Sequence, residues 1–296
     1  MSVFPITATR TAAARYLACL RLEEILVLQG SPLLGAAFAL HHPTKHVALF
    51  AVLALANLAL VAHIFTINDW SGLSTDLSDP NKASRVFTSR GVGRKEIGVL
   101  AAGLLAISLA LFSRLGAGTF CLSLAIAALS ALYSLPRFHW KGQPLLSSAA
   151  HLGGGVLHFL LGYSVGSSID SRGLVLAFFF GLTFAAGHLT QEVRDYEGDA
   201  FNGIRTNAVI FGPHRTFVAS VALFLLAQVL LLLLALRGTI ARPLAALILL
   251  SPIHLSWSLK TLAEGLTYAN VSRLQARYRA LYSLIGLAMV AALWAN

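Results

Sequence analysis

The sequence predicts an all-α polytopic membrane protein with about nine transmembrane helices around a central cavity. Three observations carry that expectation. Hydrophobic residues fill 57% of 296 positions and charged residues only 11%, where soluble domains carry roughly 25% charged residues. Mean hydropathy is +0.74. Apolar stretches recur along the whole chain, each close to the roughly 20 residues that cross about 30 Å of hydrocarbon as a helix.

Nine such stretches fall at 22–41, 46–67, 96–115, 117–135, 145–168, 173–188, 214–236, 242–262 and 278–295. The first follows a basic, weakly apolar leader and outruns a signal-peptide core, so it reads as a retained helix. The second and the sixth each end against an acidic segment. In the fifth, Gly153-Gly154-Gly155 offers small residues that let helices approach closely. The longest polar stretches are the loops at 68–95 and 189–213, so residues 1–296 read as one transmembrane domain.

Positive charge sets the orientation. With nine crossings, the N-terminus and the loops after helices 2, 4, 6 and 8 share one side. Seventeen of the 22 Lys and Arg residues lie there, from Arg10 and Arg15 to Arg277 and Arg279; Lys45, Arg114, Arg172, Arg237 and Arg242 lie opposite. The crowded face is expected to be cytoplasmic, and the setting the inner membrane of a bacterial cell. The net charge of +10 then reflects topology and anionic headgroups, and nucleic acid is not an expected partner. With only Cys19 and Cys121 present, neither a disulfide framework nor a thiolate zinc site is supported.

Seven of the twelve carboxylates sit in the two short acidic segments. If helix 2 continues past Asn68, Asp69 and Asp76 lie seven apart on one stripe, with Asp79 a further turn along. In the second segment Glu192, Asp195 and Asp199 recur at spacings of three and four, again one helical face, with Glu197 pointing elsewhere. A lone acid of this kind is usually a solvated loop charge. Two clusters on one side of a chain this poor in acids point instead to an ion or substrate pathway. Opposed stripes make an oxygen-rich cage suited to Mg2+, which binds through a few carboxylates plus substrate phosphates.

The Asn68-Asp69 segment after helix 2, and Asp195-Tyr196-Glu197-Gly198-Asp199 with Gly203-Ile204-Arg205-Thr206 after helix 6, resemble the UbiA superfamily of intramembrane prenyltransferases. Tyr133-Ser134-Leu135-Pro136-Arg137 with Lys141 is similar to the basic loop of that family after helix 4. Two positions depart from it. Gly72 stands where the first motif has its middle Asp, and Arg85-Val86 stands where Arg-Pro is frequent. For the missing acid three readings stay open: Asp79 substitutes, the metal takes fewer protein oxygens and more water, or the reaction is modified.

The resemblance implies a Mg2+-dependent transferase that moves a polyprenyl group from its diphosphate to an acceptor, with an aromatic ring, as in quinone biosynthesis, as the leading choice. It implies that Asp69, Asp76, Asp195 and Asp199 hold Mg2+, with Asp79 and Glu192 as further candidate ligands. Asn68, Tyr133, Arg137, Lys141 and Arg205 would meet the diphosphate. Asp69, Asp195, Lys141 and His188 would be the catalytic groups, His188 as a candidate base one turn before Glu192. A carbocation needs a dry pocket with aromatic faces, and Phe65, Tyr133, Phe159 and Tyr163 are available. His151 and His158 read as interhelical hydrogen bonders, and His63 and His254 receive the same structural reading. A terpene cyclase on the same scaffold is the nearer alternative; a carboxylate-lined transporter or cation channel is the distant one, because such sites lie near the bilayer midplane on broken helices.

Overall fold

The structure, a computed structural model, describes residues 12–40 and 43–294; Arg10 of the charge count and His41 and Ala295 at the ends of two predicted spans lie outside the described residues. Those residues form helices and no strand. In chain order the α-helices are α1 (Ala12–Cys19), α2 (Leu22–Val27), α3 (Gly30–Ala39), α4 (Val47–Ser78), α5 (Arg94–Phe112), α6 (Ala117–Ser134), α7 (Leu146–Tyr163), α8 (Ser171–Arg194), α9 (Tyr196–Phe201), α10 (Asn207–Phe211), α11 (Pro213–Leu236), α12 (Ser251–Glu264) and α13 (Tyr268–Trp294).

Among the described residues, eight stretches are long and apolar enough to cross a membrane. The one predicted span not among them is the fifth, α7, whose serines, histidines and glycines dilute its hydropathy. Being packed between α3 and α8, it has neighbours rather than lipid to satisfy those groups. Elsewhere the outward faces are apolar: Leu55, Val99, Ile107, Val218, Leu226 and Leu287 are all exposed. Such surfaces suit hydrocarbon and would drive aggregation in water.

Successive helices pack in chain order, α4 on α5, α6 on α7, α7 on α8 and α8 on α11, and α13 returns to α3 to close the ring. The three largest of its buried clusters hold it. One joins α3, α4, α5, α6 and α7 through Ala36, Leu60, Phe112, Ile126 and Leu161. A second joins α3, α7, α8, α11 and α13 through Leu34, Phe159, Leu176, Leu231 and Ile285. The third joins α8, α10, α11 and α13 through Val193, Ala208, Phe217 and Leu274.

The close approach predicted for α7 is real but falls on other glycines. Of the predicted triplet only Gly155 is needed, since a Cβ there would lie 2.7 Å from the Phe180 carbonyl oxygen, while one on Gly153 would meet open space. Further along α7, Gly162 abuts the Pro32 carbonyl, and Gly35 of α3 abuts that of Phe159. These contacts draw α3 and α7 together. The first predicted span is broken into α2 and α3, where the Gln29 side chain donates to the Ile25 carbonyl (2.9 Å) and accepts from Asn57 (3.0 Å).

Two spans outrun the prediction in a way that matters for the site. Helix α4 has 32 residues, roughly 48 Å at 1.5 Å per residue, longer than the roughly 30 Å of hydrocarbon, so Asn68 and Asp69 fall near the edge of a layer entered at Val47 and Asp76 falls beyond it. Helix α8 runs to Arg194, and the chain continues almost without pause into α9, the Asp199 amide donating to the Asp195 carbonyl at 2.9 Å.

Candidate active site

The ends of α4 and α8 open into one cavity of about 580 Å³. Asn68, Asp69, Asp76, Tyr133, Lys141, His188, Glu192, Asp195 and Asp199 all line it. The two acidic segments are therefore brought together, and the polar loops tie them. Asn202 of the α9 C-cap donates to the Thr75 carbonyl at 3.3 Å, and Ser78 donates to the Asn202 side chain at 2.5 Å.

Within this cavity the acids divide into held and unheld groups. Asp69 is gripped by Arg21 from the start of α2, Arg21 Nε lying 3.3 Å from Asp69 Oδ2 and Nη2 pairing with Oδ1. Arg21 is itself fixed by Glu24 at 3.6 Å and by the Phe65 ring, 5.5 Å from its guanidinium carbon. Burial lowers the Arg21 pKa, but Asp69 and Glu24 outweigh it and raise the value overall. Asp195 accepts from Arg194 Nε and Nη2 at 2.6 and 3.0 Å and faces Lys82 Nζ at 3.0 Å. Burial pushes the Asp195 carboxyl up, yet Arg194 and Lys82 hold it below the usual range. Burial likewise lowers Lys82, and Asp195 more than restores it.

Asp76 and Asp199 have neither ion pair nor hydrogen-bond partner among the described residues, and the buried Oδ1 of Asn68 has no partner either. Two carboxylates therefore line the cavity without being satisfied by the protein, and the Asn68 oxygen is buried in its wall without a partner. Mg2+ needs few protein oxygens, typically one or two carboxylates with water and phosphate completing the shell. No group of three or more His, Cys, Asp or Glu converges on one point among the described residues, so the donor set fits a metal bound jointly with a substrate rather than a preformed protein cage.

Burial pushes the Asp199 carboxyl up to about 7, with Asp195 and Glu192 adding and Lys82 and Lys141 opposing. Because the folded value is raised, the metal-free protein gains stability from this group at low pH and loses it as pH climbs from the ordinary carboxyl range through about 7. A metal must displace that proton. If Asp199 helps to hold Mg2+, the affinity is expected to rise with pH up to about 7 and flatten above it. Calorimetry in two buffers of different ionisation enthalpy should count about one proton released at pH 6 and almost none at pH 8.

Four sequence-predicted site residues are placed otherwise. Asp79 leaves the helix, because a residue before proline is pushed out of the helical region; it takes φ −87° and ψ 114° as the α4 C-cap. Its carboxylate caps the Asn81 amide at 2.9 Å, lies 3.5 Å from Lys82 and packs against Gly198. It is absent from the cavity wall. A Cβ on Gly198 would sit 2.5 Å from Asp79 Oδ2, which explains the glycine within the second acidic segment. Arg137 and Arg205 are exposed and also absent from the wall. Glu192 does line the cavity, but both its oxygens are occupied by Ser147 Oγ, the Asn207 amide and the Asn207 side chain at 2.9–3.1 Å. It pins α7, α8 and α10 to one another.

The aromatic and histidine expectations shift as well. Tyr133 lines the cavity, while Phe159 and Tyr163 belong to the buried cluster around α3, α7 and α8, and Phe65 serves as the platform for Arg21. His151 bonds the Ser147 carbonyl of its own helix at 2.9 Å, not a neighbouring helix. It stacks on His188 with ring centroids 3.7 Å apart, and the Tyr133 ring meets His151 edge-on at 4.9 Å. His188 Nε2 lies 3.0 Å from Glu192 Oε1, out of line for a hydrogen bond, and has no other partner. His158, like His151, bonds a carbonyl of its own helix, that of Gly154, and not a neighbouring one; His63 bonds the Ala101 carbonyl of α5, and His254 packs on Phe224, both structural placements.

Sequence reasoning missed the cations that complete the cavity: Arg21, Lys82, Arg85 and Arg90 line it, as does Tyr268. Arg85 and Arg90 make no ion pair among the described residues. Lys141 makes none either, and burial lowers its pKa against the pull of Asp76 and Asp199.

A ring of membrane-crossing helices with a cation- and carboxylate-lined cavity at one end defines an intramembrane helical protein with a polar, charged site at the end of its bundle. The chain matches the UbiA prenyltransferase family over residues 30–284 and belongs to it. It is 29% identical over 214 residues to the lycopene elongase/hydratase of Haloferax volcanii, covering 69% of this chain and 67% of that one. Its fold is similar to a UbiA homologue from Archaeoglobus fulgidus bound to DMAPP and Mg2+, with TM-score 0.69 and 21% identity over 94% of this chain and 99% of that one. It is also similar to a digeranylgeranylglyceryl phosphate synthase, with TM-score 0.65 and 17% identity over 94% and 97% of the two chains.

Proposed function

We propose that this membrane protein transfers a prenyl group from its diphosphate to an electron-rich carbon–carbon double bond of a hydrophobic acceptor, with Mg2+, in a cavity open to the cytoplasm. The observation that carries the reading is one cavity lined both by the unheld carboxylates of Asp76 and Asp199 and by the unpaired cations Arg85, Arg90 and Lys141, with the unpartnered Asn68 oxygen buried in its wall. Such a set suits a diphosphate brought in with a metal. Similar solved structures bound to Mg2+ with DMAPP or GPP support the same pairing.

Mg2+, when bound by Asp76, Asp199 and Asn68, supplies Lewis-acid stabilisation of the leaving diphosphate. The chain's own residues do the rest. Lys141, Arg85 and Arg90 meet the negative charge that builds on the leaving group as the carbon–oxygen bond breaks. Asp69 and Asp195 hold Arg21 and Arg194 in place on the rim. Tyr133, in the cavity wall, is the aromatic ring available to a developing carbocation. After the new carbon–carbon bond forms, one proton must leave the resulting cation, and the His188–Glu192 pair in the cavity wall, with Nε2 3.0 Å from Oε1, is the basic group placed to take it; the stacked His151 ring holds the His188 plane.

The acceptor is read from the Haloferax volcanii relative, whose name places lycopene, an apolar polyene, in that role. An aromatic ring is the other acceptor the family likeness allows. Incubating the purified chain with labelled geranyl, farnesyl and longer diphosphates and either lycopene or 4-hydroxybenzoate separates the two. Label in a carotenoid product is expected, and label in the benzoate would reassign the acceptor. Diphosphate release with neither acceptor present would favour the cyclase.

The cytoplasmic orientation follows from charge, since the cavity end carries most of the Lys and Arg residues while Arg172, Arg237 and Arg242 lie at the other. In a variant lacking Cys19 and Cys121, Ser171→Cys is expected to react with an impermeant thiol reagent outside intact cells and Ser89→Cys to be protected. The reverse pattern would turn the cavity outward, away from cytosolic prenyl diphosphates.

A further inference from the structure

The two acidic segments offer enough carboxylates for two metals facing one diphosphate, an arrangement common where a phosphoryl group is clamped. This chain has spent most of them on other partners. Asp69 is held on both oxygens by Arg21, Asp195 on both by Arg194, and Glu192 by Ser147 and Asn207. For Asp69 to take a metal it would have to release a guanidinium that Glu24 and Phe65 also fix in place.

Gly72 makes the same point by a separate route. Residues 69, 72 and 76 share one stripe of α4, so a side chain at 72 would stand between the two acids. A Cβ built there lies 3.3 Å from Lys141 Nζ and 3.4 Å from Asp76 Oδ2. The space a third carboxylate would fill is therefore edged by an ammonium, brought in by the short helical turn Trp140–Gly142 between α6 and α7. A positive charge is built into the wall at the place where an acid would recruit one.

Resting on the prenyl diphosphate reading above, we propose that the cavity takes a single divalent cation with each diphosphate, carried by Asp76 and Asp199, and that Lys141 supplies the fixed charge a second metal would otherwise bring. Two carboxylates with phosphate and water satisfy the coordination Mg2+ demands. An ammonium is a compact point charge well suited to a phosphate oxygen.

The test counts metals directly. The full-length chain in detergent, saturated with geranyl S-thiolodiphosphate, which binds without ionising readily, is titrated with Mn2+ while electron paramagnetic resonance reports the free ion. One Mn2+ per wild-type chain is expected, one in Asp69→Asn, and diphosphate-dependent uptake is expected to fall at least tenfold in affinity in Asp76→Asn. Combining Gly72→Asp with Lys141→Ala is expected to raise the count to two. Two Mn2+ per wild-type chain, or loss of the single ion in Asp69→Asn, would overturn the single-metal inference while leaving the diphosphate reading intact. Absence of any thiolodiphosphate-dependent Mn2+ uptake by the wild type would defeat the diphosphate reading, and this inference with it.

Discussion

Asp199→Asn and Asp76→Asn are each expected to lower turnover roughly 10²–10³-fold, the scale of losing one preorganised electrostatic contact to a leaving oxyanion, while the helical circular dichroism stays unchanged. The asymmetry with Asp79 gives this result its meaning. Asp79 lies in the same acidic segment as Asp76, yet its carboxylate faces Asn81, Lys82 and Gly198 rather than the cavity. Asp79→Ala is expected to weaken the junction between α4 and α9 and to leave catalysis in the folded fraction within a few-fold of wild type. Steady-state kinetics on all three variants, with the folded fraction measured beside them, decides the point. Equal losses at 76 and 79 would mean that Asp79 turns into the cavity when a metal binds, and that Gly72 has been compensated from that position.

Glu192→Ala is expected to have the largest effect on stability. Its carboxylate is 4% exposed and accepts from Ser147 Oγ and from both the backbone and side-chain amides of Asn207. Removing it leaves several buried donors without a partner, each costing about 1–3 kcal/mol, so a loss of about 3 kcal/mol is the expected outcome. Thermal unfolding in detergent should shift downward by roughly 10 °C. The diphosphate-dependent affinity for Mn2+ should survive in whatever fraction remains folded. Unchanged thermal stability with lost metal binding would instead return Glu192 to the ligand set.

Much of the fold was legible because its determinants are local and periodic. The apolar runs and the spacing of the two acidic segments each depend on residues close in sequence, and they place the helices and bring both segments to one cavity. Helix α7 was legible by length although it is too polar to qualify by hydropathy; its neighbours α3 and α8 supply what lipid could not. Asp79 could have been read more closely, since the following Pro80 forbids the helical continuation that would have kept it on the stripe.

What stayed hidden is long-range. Arg21 grips Asp69 from 48 positions away, and no local pattern connects a basic residue at the start of one helix to an acid at the end of another. Glu192 and His188 stand one turn apart and were visible as a pair. Ser147 and Asn207, which decide what Glu192 does, come from two other elements. The same holds for Lys141 beside Gly72: the missing acid is plain in the sequence, and the cation that edges its place is seen only in the fold.

The proposed chemistry of this cavity is ionisation of a prenyl diphosphate with a metal held by Asp76 and Asp199. The most direct measurement is the release of pyrophosphate by the purified chain in liposomes given geranylgeranyl diphosphate and lycopene, with and without Mg2+, alongside Asp76→Asn and Asp199→Asn. Release is expected to require Mg2+, to carry the labelled prenyl group into a longer carotenoid, and to fall at least a hundred-fold in either variant. Undiminished release in both variants, or release of equal rate in EDTA, would contradict it.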